Sequence, residues 1–296
     1  MEIKSALSFA IKNFKEHSVK SPHLEAEILL SYALHKLREY ILTHPEYKLS
    51  KLQMQKFKTL TKKRLANYPL PYLIGHKEFY GFNFFVDKNV LIPRPETELI
   101  IDEVIKITEN NRQKYTYIDV GTGSGCIIIT IAKLFKPSKF YGIDISNQAI
   151  QIAKKNARLN QVAPIKFLRG NLLKPLFNLK FDPEYSERNP ACADGSKLII
   201  IANLPYLTPQ QIASSPSIQR EPKLALVAGQ DGLKYYRQLL QQISKNNLNF
   251  NYLLLEIDPS QKNAINRLLK SSLPDASWQI KKDLKGHNRL VVIKKQ

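Results

Sequence analysis

Apolar residues near the start of the chain recur every three or four positions, as they do on the buried face of an α-helix. One stripe runs from Ile3 to Phe14, and a second, from Ala26 to Leu37, follows Ser21-Pro22, a common helix start. A third stripe begins after Ser50. Together they predict a small helical bundle over residues 1–70.

The pattern changes at Pro69-Leu70-Pro71, because proline interrupts a continuing helix. The following stretch, Glu78–Val90, is rich in aromatic residues and alternates, which predicts a β-hairpin. Its turn lies either near Gly81 or at Asp87–Asn89. The segment LIPRPETE, Leu91–Glu98, then closes a linker that we place at residues 71–98.

From residue 99 to residue 296, short apolar runs alternate with helical stretches such as Asn147–Asn160 and Ser260–Lys270. Strands are predicted at Tyr115–Val120, Lys139–Ile143, Ile165–Arg169, Lys197–Ala202, Tyr252–Ile257, Trp278–Lys281 and Arg289–Lys294. This alternation predicts an α/β domain whose seven-stranded, Rossmann-like sheet is mostly parallel. The polar segment Asp182–Ser196 is expected to be a surface insertion.

Composition narrows the functional classes. No apolar run is long enough for a membrane span and no signal peptide is visible, so we expect a cytoplasmic protein without membrane contact. Cysteines and histidines lack metal-ligand spacing, so no metal is expected. The formal net charge is +20. A charge of this size favours weak contact with nucleic acid or an acidic protein. It is equally explained by basic residues dispersed over solvated faces.

A glycine-rich turn follows the first strand of the α/β region. The strand TYIDV runs into Gly121-Thr122-Gly123-Ser124-Gly125, and a helix begins near Cys126. Glycines allow a sharp turn and a close ligand approach, and the helix N-terminus offers unpaired N–H groups. Asp144 ends the next strand, 19 positions after Gly125, where a carboxylate can accept bonds from both ribose hydroxyls.

The third strand ends in Gly170-Asn171-Leu172, on the expected adenine side of such a site. There Asn171 can bond the adenine amino group, and Leu172 can offer its backbone N–H. A glycine turn with a later aspartate fits NAD enzymes nearly as well. The spacing GxGxG, rather than GxGxxG, favours a methyltransferase that uses S-adenosyl-L-methionine.

The fourth strand ends in Asn203-Leu204-Pro205-Tyr206, beyond the carboxyl edge of the sheet. These residue types suit methylation of an amide nitrogen, whose lone pair is delocalised with a rotation barrier of ~18–20 kcal/mol. The Asn203 side-chain oxygen and the Leu204 carbonyl can accept the two N–H bonds and orient the nitrogen. Pro205 stiffens the turn, and the Tyr206 ring can stack on the amide. Asn203 is also expected to face the cofactor.

These motifs resemble the peptide chain release factor glutamine methyltransferases, the PrmC/HemK family, over nearly the whole chain. The most specific match is PYLIGHKEFYGFNFFVDKNVLIPRPETE, Pro71–Glu98, and residues 203–206 are similar to the family's Asn-Pro-Pro-Tyr motif. The resemblance implies an S-adenosylmethionine-dependent methyltransferase domain at 99–296 behind a substrate-docking domain at 1–70. The implied substrate is the glutamine of the Gly-Gly-Gln motif of release factors.

The sequence departs from the family pattern at three positions. Leu204 replaces a proline, Asn171 replaces an aspartate, and Asp258 replaces the glycine of EIGxxQ. Three alternatives compete with this prediction. A ribosomal-protein glutamine methyltransferase is disfavoured by PRPETE, and a DNA adenine N6-methyltransferase by the small size of the helical region. A non-catalytic adaptor is disfavoured by the intact Asn203 and Tyr206.

Overall fold

The computed structural model describes residues 1–109, 114–135, 138–162, 164–178, 196–215 and 218–295. The chain divides into two compact units, the first comprising Met1–His76 with Ser215–Arg220 and the second Lys77–Ser214 with Glu221–Gln296. Apart from Ser196, the predicted surface insertion Asp182–Ser196 lies outside the described residues. Within the described ranges, every helix is too short or too polar to traverse a bilayer.

The first unit is helical, as predicted. Its helices are α1 (Ile3–Glu16), α2 (Pro22–Leu34), α3 (Arg38–Thr43), α4 (Lys51–Leu65) and α5 (Leu70–Ile74). Large buried side chains such as Phe14, Leu29 and Phe57 form its core. Ser50 caps α4 through a reciprocal capping box with Gln53, which satisfies two end groups of that helix.

Two of these helices were not predicted. The six residues of α3 bury only Ile41, so the helix leaves no apolar repeat in the sequence. Helix α5 contains Pro71, which the sequence analysis took as a helix breaker. Proline is tolerated there because it lies in the first turn, where its missing N–H has no intrahelical partner.

The predicted β-hairpin, formed by β1 (His76–Phe79) and β2 (Phe82–Phe85), stands at the start of the second unit, which begins at Lys77. Its turn lies at Tyr80-Gly81, where both residues have positive φ. The alternative turn at Asp87–Asn89 was therefore wrong. Glu98 accepts a bond from the Tyr80 backbone N–H at 2.8 Å, which ties the turn to the start of the next helix.

A seven-stranded sheet with order β5-β4-β3-β6-β7-β9-β8 follows. Its elements are α6 (Glu98–Thr108), β3 (Tyr115–Val120), α7 (Cys126–Leu134), β4 (Lys139–Asp144), α8 (Asn147–Leu159), β5 (Lys166–Arg169), α9 (Lys174–Phe177), β6 (Lys197–Ala202), α10 (Pro209–Ala213), α11 (Lys234–Lys245), β7 (Tyr252–Glu256), α12 (Lys262–Ser272), β8 (Ala276–Lys282) and β9 (Asn288–Lys295). Strands β3 to β7 are parallel, and β9 is antiparallel to both neighbours. The predicted fold class is confirmed.

Strand β3 is the centre of this sheet, and all six of its residues are buried. Ile118 and Val120 pack into one apolar cluster, whereas Tyr115 and Tyr117 pack into another on the opposite face. The chain continues from β3 to β4 on one side and returns to β6 on the other. This reversal opens a crevice at the carboxyl ends of the strands, which is the usual ligand site of such sheets.

Candidate active site

A cleft lies within the second unit at the carboxyl ends of β3 to β6. The volume that water-sized spheres can occupy inside it is about 180 Å³, and its mouth is open to solvent. Most predicted site residues line it, namely Gly121, Thr122, Gly123, Ser124, Asp144, Asn171, Leu172, Asn203, Leu204 and Pro205. Gly125 and Tyr206 are not brought into its lining.

The glycine turn between β3 and α7 needs glycine for two different reasons. Gly121, Gly123 and Gly125 all have φ between +54° and +81°, which L side chains rarely adopt. A Cβ on Gly125 would also lie 2.8 Å from Ile129 Cδ1 and 3.2 Å from Ala153 Cβ. Gly125 therefore allows α7 to pack closely against α8, while Gly121 and Gly123 form the wall of the cleft.

Asp144 fixes the shape of this turn from the end of β4. Its Oδ2 accepts a bond from the Gly123 N–H at 2.9 Å, and its Oδ1 accepts one from the Ser146 N–H at 2.8 Å. Burial raises the pKa of Asp144, although these two bonds oppose the rise. Each carboxylate oxygen has a further lone pair, so Asp144 can still accept bonds from a ligand diol.

Asp119 is a candidate residue that sequence analysis missed. It is fully buried in β3, and its Oδ2 accepts a bond from the Thr122 hydroxyl at 2.6 Å. Its Oδ1 has no partner among the described residues. Burial, opposed in part by the Thr122 bond, raises the pKa of Asp119 to about 7. A carboxylate inside a fully buried strand is rare enough to have indicated a function.

The turn after β5 is held by α11. Leu172 has a positive φ of 53°, and the Leu173 N–H donates to Gln242 Oε1 at 2.9 Å. Gln242 Nε2 donates in turn to the Asn171 carbonyl at 3.4 Å. Gly170 is required here because a Cβ would lie 2.3 Å from Pro175 Cγ. These contacts place Asn171 and Leu172 at the cleft.

Asn203 and its neighbours form the far wall of the cleft, after β6. The Asn203 amide donates from Nδ2 to Thr97 Oγ1 at 3.1 Å, and no described residue donates to its Oδ1. The Leu204 carbonyl accepts a bond of 3.4 Å from the Tyr236 hydroxyl and has one lone pair left. Asn203 and Leu204 both line the cleft, and their joint role as acceptors for a substrate amide stays a prediction.

Tyr206 is anchored away from the cleft lining. Its hydroxyl donates to Glu256 Oε1 at 3.2 Å, and its carbonyl accepts from Gln261 Nε2 at 3.0 Å. Burial and the nearby Glu256 charge raise the pKa of Tyr206. The stacking role that we assigned to its ring stays a prediction.

The linker motif also contributes to the cleft. Residues 89–94 and Thr97 lie along it, although sequence analysis gave them no role there. Glu221 is buried and accepts a bond from the Ile92 N–H at 3.1 Å while it pairs with Arg94. This ion pair joins the linker to the segment that carries Pro222 and Leu224, which lie on the same cleft. No group of His, Cys, Asp or Glu within the described residues is arranged to hold a metal ion.

Comparison with known proteins identifies the family. The model of the PrmC N-terminal domain matches residues 5–75, and a methyltransferase domain model matches residues 111–247. The release factor glutamine methyltransferase of Moorella thermoacetica is 33% identical over 98% of this chain and 97% of that protein. The protein of the same name from Dictyoglomus turgidum is 34% identical over 98% of both. This chain belongs to the release factor glutamine methyltransferase family.

Solved structures support the same fold at lower identity. The catalytic domain of hMettl16 superposes with a TM-score of 0.54 at 14% identity, covering 90% of each chain. The N-terminal domain of human METTL16 in complex with SAH gives 0.53 at 14% identity, covering 90% of this chain and 93% of that one. The chain therefore has the Rossmann-like fold of S-adenosylmethionine-dependent methyltransferases.

Two of the departures from the family pattern are accommodated locally. The Leu204 side chain is buried, and its Cδ2 lies 3.0 Å from the position that a Cβ on Gly121 would take. Asp258 has a φ of −68°, so this position does not require glycine. Its Oδ1 accepts a bond of 3.0 Å from the Ser260 N–H and caps the turn that presents Gln261 to Tyr206.

Proposed function

We propose that this chain transfers a methyl group from S-adenosyl-L-methionine to the side-chain amide nitrogen of the glutamine in the Gly-Gly-Gln motif of a release factor. The observation that carries the proposal is the pair of acceptors, Asn203 Oδ1 and the Leu204 carbonyl, on a cleft that also contains Asp144. The names of the full-length relatives support the same substrate.

The residues of the cleft fit the functional groups of S-adenosyl-L-methionine. Asp119 does not line the cleft but is buried beside the glycine turn, where its unpaired Oδ1 is a candidate acceptor for the ammonium group. The cofactor's carboxylate suits the N-terminus of α7 behind that turn. Its ribose diol suits Asp144, while Asn171 and Leu172 lie where the adenine is expected. The structurally similar METTL16 domain was solved in complex with SAH, which supports the choice of S-adenosyl-L-methionine as cofactor.

When bound, the cofactor supplies an electrophilic methyl group on a sulfonium, and the leaving thioether is neutral. The protein's own task is to orient the glutamine nitrogen. Asn203 Oδ1 and the Leu204 oxygen accept its two N–H bonds, so that the nitrogen lone pair is aligned and the positive charge developing on nitrogen is stabilised. The thioether leaves without taking up a proton, so no general acid is needed, and the alkylated nitrogen releases its proton to solvent water.

We further propose that the first unit contacts the release factor. Helix α4 has no acidic residue and ends in Lys62, Lys63 and Arg64. Arg64 pairs with Glu25, but Lys62 and Lys63 are exposed, and a basic surface suits an acidic protein partner. This partner would place the protein in the cytoplasm, where release factors act. Contact with nucleic acid through the same basic residues stays a prediction from the net charge.

Parallel assays with labelled cofactor test this proposal against its rivals. A release factor, a ribosomal-protein mixture and duplex DNA are each incubated with the protein, and the incorporated label is counted. We expect label in the release factor, and none when its motif glutamine is replaced by alanine. Label in DNA or ribosomal proteins with an unmodified release factor would overturn the proposal.

A further inference from the structure

Glu256 is a buried carboxylate directly behind the acceptor pair. It is the last residue of β7 and only 1% exposed. The parallel register pairs Ala202 with Leu255, so Glu256 lies beside Asn203 where the two strands end. It does not line the cleft, and the mechanism above gives it no role. A buried charge is costly unless it is compensated, so its presence here calls for an explanation.

The contacts of Glu256 lead to both ends of the segment 203–206. At one end, Tyr206 donates its hydroxyl hydrogen to Oε1 at 3.2 Å. At the other end lies Thr97, which is 2% exposed and accepts the bond from Asn203 Nδ2. Behind them, the Tyr236 hydroxyl bonds the Glu256 backbone carbonyl and also reaches the Leu204 carbonyl. Glu256 therefore bonds the acceptor loop, residues 203–206, directly at Tyr206, and its backbone carbonyl shares the single Tyr236 hydroxyl hydrogen with that of Leu204.

The electrostatics agree with a link between Thr97 and this carboxylate. Burial raises the pKa of Glu256, and hydrogen bonding from the Thr97 hydroxyl is the largest opposing effect, followed by the charge of Arg289. Glu256 Oε2 has no hydrogen bond of ordinary geometry among the described residues. Oε2 is therefore open to accept a hydrogen from a neighbouring hydroxyl.

Counting hydrogens then fixes the orientation of Asn203. A hydroxyl has one hydrogen, and an ionised carboxylate can only accept. If Thr97 directs its hydrogen to Glu256, its oxygen can only accept from Asn203, which must present its NH₂ group. The Asn203 oxygen is then left for the substrate. A flipped Asn203 amide would instead present N–H groups to the N–H groups of the glutamine.

We propose that Glu256 and Thr97 are positioning residues that hold the Asn203 amide with its oxygen, rather than its nitrogen, toward the substrate amide. The expected effect on kcat rests on the proposed function. The expected orientation of the Asn203 amide does not. It also explains why Thr97, within the linker motif, lies so close to a segment more than a hundred residues later in the chain.

Substitution at Thr97 separates orientation from simple packing. Thr97→Val keeps the shape but removes the hydroxyl, and Thr97→Ser keeps the hydroxyl. We expect Thr97→Val and Glu256→Gln to lower kcat for release factor by about 10- to 100-fold, below the ~10²–10³ expected for losing an acceptor outright. Thr97→Ser should retain most of the parent kcat, and all three variants should bind the cofactor normally.

Two variants at buried positions outside the acceptor loop serve as matched controls. Thr108→Val removes a hydroxyl that bonds backbone carbonyls of its own helix at 2.8 and 3.2 Å and interacts with Tyr117, neither of which lines the cleft. Glu103→Gln neutralises a carboxylate that pairs with Lys106 and Lys281. Thermal melts for all variants report stability. We expect both controls to lose stability but to keep the parent kcat.

A second measurement does not depend on activity. The Asn203 side-chain amide is assigned in ¹⁵N–¹H spectra by its absence in Asn203→Ala. Bonded to Thr97, its hydrogens should exchange slowly in the parent and in Thr97→Ser, but rapidly in Thr97→Val and Glu256→Gln. Parent kcat in Thr97→Val would overturn the inference, whatever the spectrum shows. If the parent does not methylate release factor, the proposed function fails. In that case the exchange measurement still tests the positioning role, which unchanged hydrogen exchange of Asn203 in Thr97→Val would overturn.

Discussion

Asp119 should make the stability of the cofactor-free protein depend on pH. Its carboxyl is fully buried, with a pKa raised from 3.8 to about 7. Because the folded-state pKa lies above the unfolded one, the stability that Asp119 contributes is complete below pH 3.8 and is lost as the pH rises through 7. The neutral variant Asp119→Asn lacks this dependence. The contributions of the other titrating groups to the pH dependence of stability therefore cancel when the two proteins are compared.

The magnitude follows from these two values. Between pH 3.8 and 7 Asp119 is ionised in the unfolded chain but still protonated in the folded protein. At 1.36 kcal/mol for each pH unit, raising the pH from 5 to 8 therefore removes about 2–3 kcal/mol from the free energy of unfolding, nearly all of it below pH 7. Urea unfolding of parent and Asp119→Asn at pH 5, 6, 7 and 8 measures the difference directly. We expect the parent to lose this much stability relative to the variant over that range. Equal pH dependence of the two proteins would refute a raised pKa for Asp119.

Two further predictions concern the proposed site, and a third concerns the proposed docking surface on α4. Asp144→Ala should weaken cofactor affinity roughly ten- to a hundredfold, since bonds to a charged acceptor contribute ~1.5–3 kcal/mol, and calorimetry showing unchanged affinity would remove Asp144 from the ribose role. Asn203→Ala should lower single-turnover transfer by ~10²–10³, whereas Leu204→Pro should stay within about tenfold of the parent because only the carbonyl of residue 204 is used. If the transfer rate of Leu204→Pro rose by several orders of magnitude, the natural chain would instead be a nearly inactive homologue. Lys62→Glu on α4 should raise KM for release factor by up to about fivefold without affecting cofactor binding, as expected for an exposed charge contributing up to ~1 kcal/mol. Lys154→Glu on α8 is its matched control, and equal KM values for the two variants would argue against docking through α4.

The sequence was sufficient to predict the sheet because buried parallel strands read as short apolar runs. The short helices α3 and α5 were missed because six and five residues are too few to show a helical repeat. Within the site, the residues that follow strands were found from their position alone, since parallel strands bring their carboxyl ends to one edge.

Partners that depend on tertiary packing could not be predicted in this way. Asn203 bonds Thr97 across 106 residues of sequence, and Tyr206 bonds Glu256 across 50. No local pattern specifies which of many polar side chains will meet. Both Thr97 and Glu256 lay in motifs that we had singled out, but their roles became clear only from their contacts. The placement of Tyr206 outside the cleft lining is a result of the same network.

Tandem mass spectrometry of a release factor tests the central claim most directly. The protein, S-adenosyl-L-methionine and an unmodified release factor are incubated together, and the peptide containing Gly-Gly-Gln is fragmented. The account predicts a single added methyl group, on the side chain of the motif glutamine, and none with Asn203→Ala. A release factor that stays unmodified, or a methyl group on any other residue, would contradict it.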